Sequence, residues 1–134
     1  MDIFRADKAA FSHTNGTAER RWHYGSAGQG FRIVITEIPP GHVQNEHRHD
    51  HLFDVVYVVE GEVHISQRCA GVLREEALRA GDIACFEPPE FHNMANKSSA
   101  IARTLTLKVP KDSTIPLEVL VKVFENDWIG YVGE

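Results

Sequence analysis

The stretch GHVQNEHRHDHLFDVVYVVEG, residues 41–61, decides how this chain folds. His42, His47, His49 and His51, four of the chain's eight histidines, fall in its first eleven positions. Side chains two apart on a strand share a face, so His47 and His49 can grip one ion together. Imidazole suits Zn, Cu, Fe and Ni, which makes this stretch half of a metal site. Further along, FDVVYVVEGEVHISQ breaks at Glu60-Gly61 after an apolar run, which predicts a strand, a turn and a returning strand. Two residues compete for a further contact. On an unbroken strand His51 keeps the parity of His47 and His49 and completes a three-histidine stripe. Asp54, five residues beyond His49, reaches the same face only if the chain bends or bulges between them.

Towards the C-terminus, GDIACFEPPEFHNMAN (residues 81–96) begins with a short strand over 82–86 and then turns through Pro88-Pro89 to deliver His92. A third imidazole from a separate segment is what a mononuclear site needs for closure. Asn96, four residues on, is placed to fix the backbone near that ligand. Segment 101–109 alternates cleanly and reads as a strand, whereas 71–80 reads as a hairpin tip with a strand from about Glu76. After Pro110 a helical spacing (Leu117, Leu120, Val121, Phe124) and a strand spacing (Val119, Val121, Val123) coexist.

Towards the N-terminus, FRIVITEI (residues 31–38) is a strand ended by Pro39-Pro40-Gly41. Residues 1–30, with Gly16, Gly25, Gly28 and Gly30, read as a looped arm whose Trp22, His23 and Tyr24 cover an edge or opening of the body or anchor an interface. Short strands separated by Gly and Pro indicate an all-β sandwich or barrel. The expected layout is one domain: arm 1–30, barrel core 31–109 and C-terminal extension 110–134.

At 134 residues with 43% apolar side chains the chain can bury one core and has no room for two. A formal charge of −5 without a block of like charges argues against nucleic acid and against a polybasic membrane contact. No apolar run approaches a bilayer span and the N-terminal segment lacks a signal-peptide core, so a cytoplasmic location is expected. Cys69 and Cys85 lack CxxC spacing and are expected to be thiols, with Cys85 a small buried hydrophobe. Neither has a base beside it in sequence, and no GxSxG or phosphate loop is present, so nucleophilic catalysis is disfavoured. His42 reads as surface, His64 stays open between surface and pocket, and His13 and His23 belong to the arm.

Taken together, the two segments resemble the paired motifs of the cupin family. Gly41, His47, His49 and Gly61 match the first motif, with Asp54 where the family has Glu; Gly81, His92 and Asn96 match the second, with Pro88 and Pro89 displaced and Pro89 in place of the family's Gly. Nineteen residues separate Gly61 from Gly81, a spacing similar to the family's. The resemblance implies a double-stranded β-helix, or jelly-roll barrel, holding one divalent transition metal (Fe, Mn, Ni, Zn or Cu) on His47, His49, Asp54 and His92. Aspartate gives up about 1.5 Å of reach relative to glutamate. Parity favours His51 as the fourth contact; the resemblance favours Asp54, and we follow it. It further implies a mononuclear metal-dependent enzyme, dioxygenase- or isomerase-like, acting on a small oxygen-bearing substrate, with a non-catalytic small-molecule-binding module as the alternative. A homodimer is also expected, since Val55, Tyr57 and Val59 turn an apolar parity outward.

Overall fold

The computed structural model describes residues 1–13 and 19–128. Nine strands follow one another: β1 (Ala10–His13), β2 (Arg20–Ser26), β3 (Phe31–Ile38), β4 (Leu52–Glu60), β5 (Glu62–Cys69), β6 (Val72–Arg79), β7 (Ile83–Phe86), β8 (Phe91–Ala95) and β9 (Ala102–Pro110), and one helix, α1 (Leu117–Trp128), closes the series. They form two antiparallel sheets, a six-stranded one ordered β1-β2-β3-β9-β4-β7 and a three-stranded one ordered β6-β5-β8. This is the all-β jelly-roll architecture expected.

Gly61 makes the crossing between the sheets. Its φ of +80° is open to glycine at little cost, and a Cβ there would lie 3.1 Å from the Ala102 Cα. The turn therefore does not fold β5 back onto β4. It sends β5 to the smaller sheet, between β6 and β8, while β4 pairs with β9 and β7.

Alternation along the strands divides the interior in two. At one end Ile38, Val56, Val58, Val63, Phe86, Met94 and Ala102 form the apolar core. At the other end the inward positions are polar. Cross-strand register aligns Arg32 of β3, Lys108 of β9, Asp54 of β4 and Phe86 of β7 in one row, because Arg32 faces Lys108, Lys108 faces Asp54 and Asp54 faces Phe86. A second apolar cluster, Leu52 with Leu120 and Phe124 of α1, covers this end, and the Arg32 guanidinium lies 4.9 Å from the centre of the Phe124 ring.

Several expectations are corrected. The N-terminal region is more than a looped arm: β1 and β2 extend the larger sheet, with β2 pairing along β3 from Phe31 to Glu37, and Arg21 and His23 are buried. In a two-sided sheet the alternation of Arg21, His23 against Trp22, Tyr24 is a strand signal that the flanking glycines obscure. The β6 strand begins at Val72, not near Glu76, since its pairing with β5 starts directly at the Gly71 turn. His92 lies within β8 and not on the turn before it. Cys85 faces outward and is exposed, because the inward parity of β7 belongs to Phe86. The undecided extension is helical, its Leu120 and Phe124 turned inward together. Gly16 and residues 129–134 lie outside the described residues.

Candidate metal centre

The route from β3 to β4 places the first two histidines. After Pro39-Pro40 the chain reverses at Gly41 and runs antiparallel beside β8, tied to it by Gly41 N to Asn96 O (2.7 Å), Gln44 N to Met94 O (2.9 Å) and a reciprocal pair between His47 and His92 (3.0 and 2.8 Å). His47 and His92 are thus cross-strand neighbours, with ring centres 4.5 Å apart. Residues 48–51 carry no ladder, so strand parity does not propagate from His49 to Asp54. The strand restarts at Leu52 with Leu52, Asp54, Val56 and Val58 inward. With that break, Asp54 lies among the histidines and His51 lies outside the cluster.

One ligand atom from each of His47, His49, Asp54 and His92 lies within 4.8 Å of all the others, the one such group among the described residues. His49 Nε2 is 3.2 Å and His92 Nε2 3.5 Å from Asp54 Oδ2. The ring nitrogens on the far side are anchored: His47 Nδ1 is 2.9 Å from the Asn45 carbonyl and His92 Nδ1 is 3.2 Å from the Glu90 carbonyl. With Nδ1–H donating to a carbonyl, a neutral ring keeps its lone pair on Nε2, the tautomer that coordination requires. The His92 ring is further fixed by Phe86, stacked at 4.2 Å and 4°. Its Nε2 is buried without a hydrogen-bond partner, an atom whose desolvation an ion would repay.

The electrostatics point the same way. Burial above all, helped by His92, His49 and Lys108 and opposed by the Asn45 carbonyl, lowers the His47 pKa to about 3, so this imidazole is neutral at pH 7. Burial alone would raise the Asp54 pKa, but Lys108 and His49 outweigh it and hold the carboxyl well below the ordinary value, as an anion. A neutral imidazole at His47, two further imidazoles and an ionised carboxylate make a donor set that fits a divalent transition ion. Neither thiol is a nucleophile of note: Cys69 is raised by its hydrogen bond to Glu90, and Cys85 by partial burial and then by Glu87, Asp54 and Glu90.

Four polar residues of this end, Lys108, Glu19, Arg21 and Gln44, escaped the sequence reading. Lys108 Nζ touches both oxygens of Asp54, at 3.1 and 3.0 Å, and lies 3.5 Å from His49 Nε2. Its signal was parity, since Thr104, Thr106 and Lys108 share the face opposite Leu105, Leu107 and Val109. Glu19, fully buried, gathers Arg21 Nε (3.0 Å), Gln44 Nε2 (3.1 Å) and His42 Nε2 (3.0 Å), so His42 belongs to this network and not to the surface. Arg21 and Gln44 then line, with Thr36, Thr106 and Lys108, the polar wall of a cavity of about 30 Å³ over the histidines. Asn96 is the backbone support expected: its amide donates to the Ile38 and Ala100 carbonyls (2.8 Å each) and its carbonyl accepts from Ser98 N (3.0 Å). His64 pairs with Glu62 and His23 with Ser12, both away from the centre.

Fold and site together define a class: a double-stranded β-helix that gathers histidines from two chain segments around one carboxylate. A model of the cupin domain matches residues 34–108, and the chain belongs to the cupin family. Among solved structures it is similar to a predicted oxalate decarboxylase from Thermotoga maritima (19% identity, TM-score 0.68, 81% of this chain and 99% of that one). It is also similar to a sugar phosphate isomerase from a cupin superfamily of Silicibacter pomeroyi (20%, 0.64, 81% and 75%). A third likeness is to an uncharacterized conserved protein with a double-stranded β-helix domain from Klebsiella pneumoniae (23%, 0.64, 84% and 93%). At these identities the likeness is one of fold. No curated protein matches the sequence.

Proposed function

We propose that this protein is a metal-dependent cupin enzyme, dioxygenase- or isomerase-like, that binds one divalent transition ion on His47, His49, Asp54 and His92 and acts on a small oxygen-bearing substrate. The observation that carries this reading is the convergence of three imidazoles and one ionised carboxylate, from two chain segments, inside 4.8 Å. A bound ion would supply Lewis-acid polarisation of substrate oxygens and, were it iron, dioxygen chemistry.

The chain's own residues supply the rest. Arg21 and Lys108 put positive charge on the cavity wall, and Thr36, Thr106 and Gln44 add hydroxyl and amide groups, a lining suited to negatively charged oxygen atoms. Val34, Val56, Phe86 and Met94 complete the lining with apolar side chains. A space of about 30 Å³ holds about two water molecules, so only a small group of the substrate reaches the histidines. We place the protein in the cytoplasm on its two free, exposed thiols, Cys69 and Cys85. No helix among the described residues is long and apolar enough to cross a membrane.

Elemental analysis of untagged protein tests the metal reading. Close to one equivalent of a transition metal is expected, and a His47→Ala/His49→Ala double variant is expected to lose it. Less than about a tenth of an equivalent in the parent would sink the reading. Dioxygen consumption by Fe(II)-loaded protein with diketones, phenols and thiols then separates enzyme from binding module: turnover supports the enzyme, and metal retention without turnover favours the binding module.

A further inference from the structure

A carboxylate that grips a metal has to offer it an oxygen lone pair, and at Asp54 a cation is already in place. Both its oxygens are taken by the Lys108 ammonium, at 3.1 and 3.0 Å, and the same Nζ lies 3.5 Å from His49 Nε2. Lys108 and Asp54 are each about 4% exposed and sit opposite one another in the β4–β9 register, so the contact is built into the sheet and is not the reach of a surface side chain.

The consequence follows from charge and distance. His49 Nε2 and Asp54 Oδ2 are 3.2 Å apart, and Lys108 is in contact range of both. An ion gripped by those two atoms must therefore lie close to the ammonium, and two cations in a desolvated site repel strongly. Arg32, the register neighbour of Lys108 on its other side, is a further buried cation on this face.

We infer that Lys108 is a resident counter-cation which an incoming metal displaces from Asp54, so that metal binding at this centre is an exchange of one cation for another. The inference rests on the proposed metal reading and deepens it. With the ion absent, the ammonium offsets the charge of a buried carboxylate, and the site stays folded. With the ion bound, the displaced ammonium is left at the cavity wall beside Thr106 and Thr36, where it meets the negatively charged end of a substrate. Lys108 thus weakens metal affinity while positioning Asp54, and it is a positioning residue in both states.

The test is the affinity for Zn²⁺ alone, measured by competition against a chelator of known strength, for the parent, Lys108→Met and Lys108→Gln. Lysine to glutamine keeps a donor for Asp54, so this variant folds even if the methionine variant does not. Both neutral variants are expected to bind Zn²⁺ about tenfold tighter or more than the parent, and to gain more thermal stability on Zn²⁺ addition. A lysine with only a structural role would give the opposite sign. If the parent binds Zn²⁺ and the variants bind no tighter, the exchange is wrong while the metal centre stands. If none of the three binds Zn²⁺, the metal reading falls and the exchange falls with it.

Discussion

At His47 the price of a prepared ligand is set by protons. Its pKa is brought from 6.5 to about 3, first by burial and then by His92, His49 and Lys108, against the Asn45 carbonyl. Between about pH 6.5 and pH 3 the unfolded chain therefore carries a proton here that the folded chain refuses, so stability falls as the pH falls through that window. Asp54 continues the trend below the ordinary carboxylate pKa, because its depressed value makes the unfolded chain protonate first. The metal-free protein is expected to unfold at a lower urea concentration at pH 5 than at pH 7.5, with a shallower dependence in His47→Gln. Equal midpoints for the parent at the two values would contradict this electrostatic account. At this scale His47, His49 and His92 were legible because their spacing alone carries the chemistry. The choice between Asp54 and His51 was not, because it turns on whether the ladder persists over 48–51, and backbone pairing of a loop against β8 is a tertiary contact with no local signature. Lys108 was hidden for another reason. A lysine at the end of an alternating strand reads as solvated, and only the discovery that Thr104 and Thr106 face inward turns it into the interior.

Among the elements, the turn at Gly61 does the most to position the site, since it separates β4, which carries Asp54, from β5, which supports β8 and His92. Its φ of +80° disfavours any other residue, and an added Cβ would press on the Ala102 Cα and the Ile101 carbonyl at 3.1 Å. Gly61→Val is expected to cost about 2–4 kcal/mol, the sum of a left-handed backbone and overpacking. Gly41 supplies the control. Its φ is +78°, yet no heavy atom lies within 4 Å of its added Cβ, so Gly41→Ala should lose only the backbone component, about 1–2 kcal/mol. Denaturant unfolding of both variants decides, and equal losses would show that the close approach at Ala102 is unimportant. Strands β3, β4, β5 and β9 were legible from alternation and β-branched content. The N-terminal strands were not, since polar Arg20 and Arg21 beside glycines look like a loop until β3 offers its free edge. Nor was α1, whose valines satisfy both periods and which Leu52 decides by accepting Leu120 and Phe124 on one face.

On the scale of the whole molecule, the outer surface of the six-stranded sheet carries what the interior does not need. Register lines up Phe11, Trp22, Ile35, Leu105, Tyr57 and Ile83 across all six strands, an unbroken apolar row on the face turned away from the histidines. Tyr24, Ile33, Leu107, Val55 and Cys85 form a second row beside it. Single exposed apolar residues are ordinary, but two adjacent rows spanning a sheet form a contiguous patch, and such patches mark interfaces. Ile83 at one edge of the first row and Tyr57 beside it are 62% and 40% exposed. We propose that a second copy of the chain covers this face, sheet against sheet, which leaves the two metal centres pointing outward and independent. Sedimentation equilibrium should then return a mass of twice 15.1 kDa. Tyr57→Glu places a charge within the row without touching the interior, and it is expected to give the 15.1 kDa species with unchanged circular dichroism and unchanged metal content. A parent that sediments as the single chain at micromolar concentration would remove the dimer and leave the patch without a partner.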